Sequence, residues 1–488
     1  MYDIAVIGGG VVGCAVAREL SRYNASVCVI ERQSDVCMGA SKANSGIVHA
    51  GFDAARGSMK ARYNVRGAEM MPELCAFLGV PYMNNGALVV AFSQPERSEI
   101  ERLFAQGKEN GVKGLRIVER DELLLLEPKL SPDAVCALLA ETSGILSPYE
   151  LTFAMADDAA VNGAQFMLDK RVSGAKRTDK GWQLSVGGDE SVECRLVISC
   201  AGVHAGEIRE LFGADSLKII PRRGVYYLLD HEEAPAFSHT MFQTPTPMGK
   251  GVLVTPTTHG NLLIGPTAED IENADNTACT NEELQKALLM AKKTYPALSL
   301  RTNITNYAGV RAHPEDDDFH IGEMSGAEFV LEASGIESPG LSAAPAIGES
   351  LAALAAEKLS LTKKSSVLPP VQQKKPFREM NDDERREACK ADAEYGAVVC
   401  RCETVTLAEI RASLRRPVPA RTVDAIKRRT RAGMGRCQSG FCLTRVMEAI
   451  AEEEGIPLTR VTKQGAGSEI APEYIGDVLR KEADDGKN

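Results

Sequence analysis

Four cysteines fall in two close pairs, Cys400-Arg401-Cys402 and Cys437-Gln438-Ser439-Gly440-Phe441-Cys442, with 34 residues between the pairs. Thiolates brought together from two short loops can close around one metal centre. Zinc sites usually pair cysteines across roughly two to four residues, so C-x-C joined to C-x4-C is unusual for zinc. Free thiols are the third possibility. From Cys400 to Arg445 eleven Lys and Arg stand against three acids, in a chain whose net charge is −11. Such a basic surround favours an anionic centre and could also form the docking face of an acidic partner. The other nine cysteines (Cys14, Cys28, Cys37, Cys75, Cys136, Cys194, Cys200, Cys279 and Cys389) sit mostly among apolar neighbours and read as small buried hydrophobes.

A second chemical pattern stands near the N-terminus. Ile4-Ala5-Val6-Ile7 reads as a buried parallel strand, Gly8-Gly9-Gly10 follows at once, and Gly13 precedes the helical pattern Val16, Ala17, Leu20. G-x-G-x-x-G between a strand and a helix binds a dinucleotide pyrophosphate through backbone N–H groups and the helix dipole. Gly8 permits the tight turn, Gly10 the close approach, and Gly13 the packing of helix on strand. The next strand, Ser26–Ile30, ends in Glu31, 23 residues after Gly8. A carboxylate there can take both hydroxyls of an adenosine ribose and disfavours a 2′-phosphate. Two later apolar strands break into small residues, Leu196 to Ala201-Gly202 and Phe329 to Ser334-Gly335. Three such turns predict one discontinuous domain gripping a long cofactor, FAD.

Among seven histidines, His49 follows the Ser45-Gly46 turn and is flanked by Ala50 and Gly51, which leave room for a ligand. Histidine is the natural base for a hydroxyl proton near neutral pH, although one bonded to backbone would be structural. Arg311 can hold phosphate or carboxylate through two parallel hydrogen bonds. Taken alone, beside the acids Glu315 to Asp318, it would be a solvated ion pair. Ser338 lies in a Ser-Pro-Gly turn and could donate to an anion. Lys250, between Gly249 and Gly251, is either a hairpin tip or a phosphate contact.

These segments resemble the D-amino-acid-oxidase-type (glutathione-reductase-like) flavoproteins, and within them the FAD-dependent type 2 glycerol-3-phosphate dehydrogenases and oxidases. The matching stretches are Gly39-Ala40-Ser41-Lys42-Ala43-Asn44-Ser45-Gly46-Ile47-Val48-His49-Ala50-Gly51, Pro221-Arg222-Arg223-Gly224-Val225-Tyr226-Tyr227 and Gly335-Ile336-Glu337-Ser338-Pro339-Gly340-Leu341. The resemblance covers most of residues 1–358. It implies that His49 lies over the flavin as the base and that Arg311, Ser338 and Lys250 hold the anionic substrate. It further implies cofactor contacts at Val12, Ser41, Ser45, Val172, Ala201, Gly202, Gly335, Gly340 and Leu341. L-2-hydroxyglutarate oxidases share the N-S-G-x-x-H-A-G element, so a 2-hydroxy acid or an amino acid is an alternative substrate. The second cysteine loop, from Gly433 to Cys442, resembles that of bacterioferritin-associated-ferredoxin-like [2Fe–2S] domains. The cluster ligands implied are Cys400, Cys402, Cys437 and Cys442.

The elements that must position these groups divide the chain. FAD-binding α/β parts are expected near 1–80, 141–215 and 325–358, and an antiparallel substrate sheet over 81–140 and 216–324. By composition 359–395 is a linker, 396–450 a small helical iron–sulfur domain, and 451–488 a tail. The acidic balance argues against nucleic acid as a partner. No apolar run is long enough to span a bilayer, and the N-terminal residues read as folded structure rather than a secretion signal. The reading is therefore a cytoplasmic flavoenzyme, peripheral to a membrane if its acceptor is a quinone. Electrons pass from glycerol 3-phosphate to FAD, to the cluster, and to a redox partner protein or quinone-linked acceptor. An electron-transfer or redox-sensing subunit is the non-catalytic alternative, and homo- or hetero-oligomers are both compatible.

Overall fold

The short apolar strand Tyr2–Ile7 lies between Val27–Ile30 and Glu190–Ser199, parallel to both. Gln165–Met167 and Val330–Ser334 continue the parallel order on either side. The strands Gly181–Val186 and Val172–Thr178 add an antiparallel flap, and His320–Glu323 pairs antiparallel with Val330–Ser334. The computed structural model describes residues 1–233, 236–245, 251–471 and 473 of the chain. Among them this first sheet has eight strands. The strand His320–Glu323 therefore belongs to the cofactor sheet rather than to the expected substrate part.

Helices cover the sheet where small residues allow close approach. Val11–Leu20 packs on Gly340–Leu359, where a Cβ at Gly348 would press on the Ala15 backbone. Met59–Leu78 packs on the same long helix, with Gly67 against the Ser342 carbonyl. That long helix starts at Gly340, and Pro345 lies within it.

The second sheet has nine strands among the described residues, drawn from Ala87–Ala91 to Cys136–Ala140 and from Ile219–Leu229 to Asn303–Pro314. Its pairing is antiparallel except where Thr240–Gln243 runs parallel to Ala87–Ala91. The centre of this sheet is buried on both faces. Leu88, Val90 and Met241 enter one core, and Ala87, Val89 and Phe242 enter another. Two covered faces explain a continuous apolar run in place of polar alternation.

The chain forms two compact units, residues 1–31 with 36–373, and residues 374–488 with the excursion Arg32–Asp35. The stretch expected to be a linker is split between them and contains the helix Asp382–Ala391, capped by Asn381. In the second unit, helices Leu407–Leu414, Val423–Thr430 and Leu443–Glu454 surround a core of Ile410, Ala425, Ile426, Val446 and Ile450. Ile470 and Ala471 pack on this core, so the start of the expected tail is structured. Asp35 is buried here between Arg428 and Arg429 at 2.8 and 2.7 Å. No helix among the described residues is long and apolar enough to cross a membrane.

Candidate functional site

The N-terminal turn is built by contacts that tolerate no side chain. A Cβ at Gly13 would overlap the Gly8 carbonyl, and one at Gly8, which has φ of +104°, would overlap the Cys200 carbonyl. By contrast, a Cβ at Gly39 or Gly202 meets no atom within 4 Å, so these glycines border open space. The helix Val11–Leu20 has no acid in its first turn to oppose an anion. Open glycines beside a helix start that carries no acid fit a dinucleotide.

Two side chains do more than their spacing indicated. Glu31, only 9% exposed, accepts the Gly9 N–H at 2.6 Å, so it braces the turn. Ser41 accepts the Val11 N–H at 2.9 Å. Val12 is buried in that helix, and Val172 is buried where the antiparallel flap begins. Ala201 and Gly202 follow the strand end, where the Cys200 N–H donates to Ile7 O at 2.8 Å. Gly335, Gly340 and Leu341 lie where the Val330–Ser334 strand turns into the long helix.

His49 is held from several sides. Gly46 has φ of +69° and its N–H donates to Asn44 Oδ1 at 2.9 Å, which sets the turn before the short strand Ile47–Val48. The His49 N–H donates to Ser342 Oγ at 2.8 Å, and Asn64 Nδ2 donates to the His49 carbonyl at 3.1 Å. The His49 backbone is thus fixed, and its ring lies 5.7 Å from the Phe242 ring, with Nε2 3.5 Å from Ser338 Oγ. Neither Ser342 nor Asn64 carries a sequence signal of its own; each lies within the first two turns of a helix.

The strand Asn303–Pro314 turns alternate residues toward these loops. Tyr307 Oη donates to Asn44 O at 3.3 Å, and Gly309 packs against the Ala43 backbone. Arg311 follows on the same face, and His313 Nδ1 meets Glu337 Oε1 at 2.9 Å. Arg311 Nη2 donates to Thr267 O at 2.9 Å, while its buried Nε has no hydrogen-bond partner. A guanidinium can hold an anion through two parallel donors, and Arg311 keeps donors that no protein group among the described residues takes. The ion pair with the following acids that Arg311, taken alone, would offer is not what forms among the described residues. Asp318 instead accepts the N–H groups of Met59 and Lys60 at the start of their helix, each at 2.9 Å. Ser45 remains in the loop beside Gly46, and Lys250 falls outside the described residues.

In the second unit the four cysteines converge. Cys402 Sγ and Cys437 Sγ are 3.5 Å apart, and the Cys400 and Cys442 thiols share a hydrogen bond. Each pair therefore takes one cysteine from each loop. Gly435 packs directly on Cys402, and a Cβ there would overlap it. Backbone N–H groups of Gly433 and Glu403 point at the Cys400 sulfur. Four sulfur donors in two crossed pairs fit a cluster with two irons. Elsewhere, burial pushes the Cys28, Cys75, Cys194 and Cys200 thiols up to about 12, as expected of inert core cysteines. The basic surplus around the cluster is largely neutralised: Arg411 and Arg415 pair with Glu453, Arg421 with Glu454, and Arg431 with Glu403.

Comparison with known proteins follows this division. Residues 3–354 match the model of the FAD dependent oxidoreductase family, and residues 398–452 that of the BFD-like [2Fe-2S] binding domain. A glycerol 3-phosphate dehydrogenase of Caloramator mitchellensis is 43% identical over 471 residues, 96% of this chain and 98% of its own. A mitochondrial L-2-hydroxyglutarate dehydrogenase of Arabidopsis thaliana is 30% identical over 401 residues, 72% of this chain and 82% of its own. The solved structure of dithionite-reduced L-alpha-glycerophosphate oxidase from Mycoplasma pneumoniae with FAD bound superposes with a TM-score of 0.73 at 29% identity. It covers 77% of this chain and 99% of that one.

Proposed function

The chain belongs to the FAD-dependent oxidoreductase family, and from that premise we propose that it oxidises glycerol 3-phosphate to dihydroxyacetone phosphate and delivers the electrons through its cluster to an external acceptor. It is an FAD-dependent dehydrogenase whose cofactors are FAD and a [2Fe–2S] cluster. When bound, FAD accepts the hydride and the cluster passes electrons singly.

The observation that carries the substrate reading is the unpaired Arg311 Nε, buried on the strand face that also packs against the loops bearing His49 and Ser338. Arg311 is assigned to the phosphate, with Thr267 O holding one side of its guanidinium. Ser338 Oγ donates to the anionic end. His49 Nε2 takes the C2 hydroxyl proton as the C–H bond breaks, and the Ser342 and Asn64 contacts keep that nitrogen in place. Lys250 is assigned a further phosphate contact. Gly8, Gly10, Val12, Gly13, Glu31, Ser41, Ser45, Val172, Ala201, Gly202, Gly335, Gly340 and Leu341 are assigned to FAD, and Cys400, Cys402, Cys437 and Cys442 to the cluster.

A 2-hydroxy acid is the second reading, because Arg311 could hold a carboxylate equally well and an L-2-hydroxyglutarate dehydrogenase is among the relatives. Anaerobic titration decides between them. Glycerol 3-phosphate should bleach the flavin band; bleaching by L-2-hydroxyglutarate alone overturns the first reading.

A further inference from the structure

Glu337 sits immediately before Ser338, and its carboxylate is nearly closed off from solvent, with 10% of the side chain exposed. Two partners, an ammonium and an imidazole, meet on one of its oxygens. Lys60 Nζ and His313 Nδ1 each lie 2.9 Å from Oε1. Lys60 also contacts Asp317 at 2.6 Å. The ligand atoms of His313, Asp317 and Glu337 all lie within 4.8 Å of one another, a spacing that could hold a metal ion. The Lys60 ammonium already contacts both carboxylates, so the chain supplies that cation itself.

The partners come from the three segments that bear the substrate-handling residues. Lys60 opens the helix that follows the His49 loop, His313 stands two residues beyond Arg311 on the same strand face, and Glu337 adjoins Ser338. The charge state agrees with this geometry. Burial raises the Glu337 carboxyl, but Lys60 and His313 outweigh it and hold the group below the usual carboxylate range. Lys60 is held above its ordinary value, because Glu337 and Asp317 outweigh its own burial.

We propose that Glu337 is a positioning residue: gripped by Lys60 and His313, it fixes the separation of Ser338 and Arg311 and so sets where the anionic end of the substrate binds. This rests on the reading of Arg311 and Ser338 as the anion site, whichever anionic alcohol is oxidised. A carboxylate is needed because it can accept from both partners at once with its charge matched. An amide keeps the shape but leaves Lys60 with Asp317, whose side chain is 75% exposed.

The test compares full-length, cofactor-loaded wild type with Glu337→Gln under steady-state turnover, with FAD content measured in parallel. Glu337→Gln should raise KM about tenfold or more while kcat stays within about threefold and FAD content is unchanged. An unchanged KM, or a loss of rate that only tracks lost FAD, overturns the proposal. If Glu337→Gln does not fold, His313→Gln keeps the Lys60 pair and removes only the strand-side anchor. It should show the same KM-selective effect, and a wild-type KM there overturns the proposal too. Failure of the substrate reading is separately visible, since wild type would then not be reduced by glycerol 3-phosphate. The same comparison is then made with the anion that does reduce it.

Discussion

His49 Nε2 and Ser338 Oγ lie 3.5 Å apart although 289 positions separate them in the chain. The strand Ile47–Val48 delivers one and the turn before the long helix delivers the other. With its backbone N–H bonded to Ser342 Oγ, His49 can lose its imidazole without loss of the loop. His49→Gln should therefore retain FAD and lower the rate of substrate-driven flavin reduction on the order of 10²–10⁴-fold, the usual worth of a general base. Anaerobic stopped-flow spectroscopy of the flavin band measures this, and a rate near wild type would remove His49 from the mechanism.

Arg311→Ala should act on binding more than on chemistry. Hydrogen bonds to charged groups are worth about 1.5–3 kcal/mol each, so KM should rise about 10- to 100-fold or more. Arg311→Lys should recover little of this, because an ammonium cannot keep the Thr267 O contact and also offer a planar pair of donors. Steady-state kinetics on both variants provides the check.

What could be read from the sequence follows from how locally each feature is encoded. The glycine turn was legible because strand, turn, helix and terminal acid all fall within Tyr2 to Glu31. The cysteine loops were legible from spacing, because each pair lies within six residues of the chain. Glu337 stood in plain view beside Ser338, yet its partners Lys60 and His313 lie 277 and 24 residues away. Only tertiary packing brings them together. The basic surplus near the cluster suggested a docking face, because a residue count does not reveal partners such as Glu452 to Glu454 on the next helix.

Cysteine substitutions separate the two halves of the proposed electron path. Cys402→Ser or Cys437→Ser removes one member of the 3.5 Å pair and should abolish the iron–sulfur absorption while FAD remains bound. Substrate should still bleach the flavin at close to the wild-type rate. Turnover with a one-electron acceptor should fall at least about tenfold if electrons leave through the cluster. Undiminished turnover in a cluster-free variant would mean that the acceptor draws directly on the flavin.

Asp35 provides a test of stability in the second unit. Its carboxylate is about 1% exposed and contacts Arg428 and Arg429 at 2.8 and 2.7 Å. Burial raises the Asp35 carboxyl, but the two guanidiniums outweigh it and hold the group below its ordinary value. A carboxyl with a depressed folded-state pKa contributes stability that is fully present above its unfolded value, about 3.9, and is lost as pH falls through the lower folded value. Asp35→Asn removes the charge at every pH and leaves two arginines facing a neutral amide, one 7% and the other 1% exposed. Breaking a buried pair by removing one partner costs about 3–5 kcal/mol, so the variant should unfold at markedly lower denaturant near neutral pH. The difference from wild type should narrow below about pH 4, where protonation costs the native chain the same ion pair. Denaturant melts followed by cluster absorbance at several pH values measure this, and a pH-independent difference would show that the charge of Asp35 is not what holds the segment.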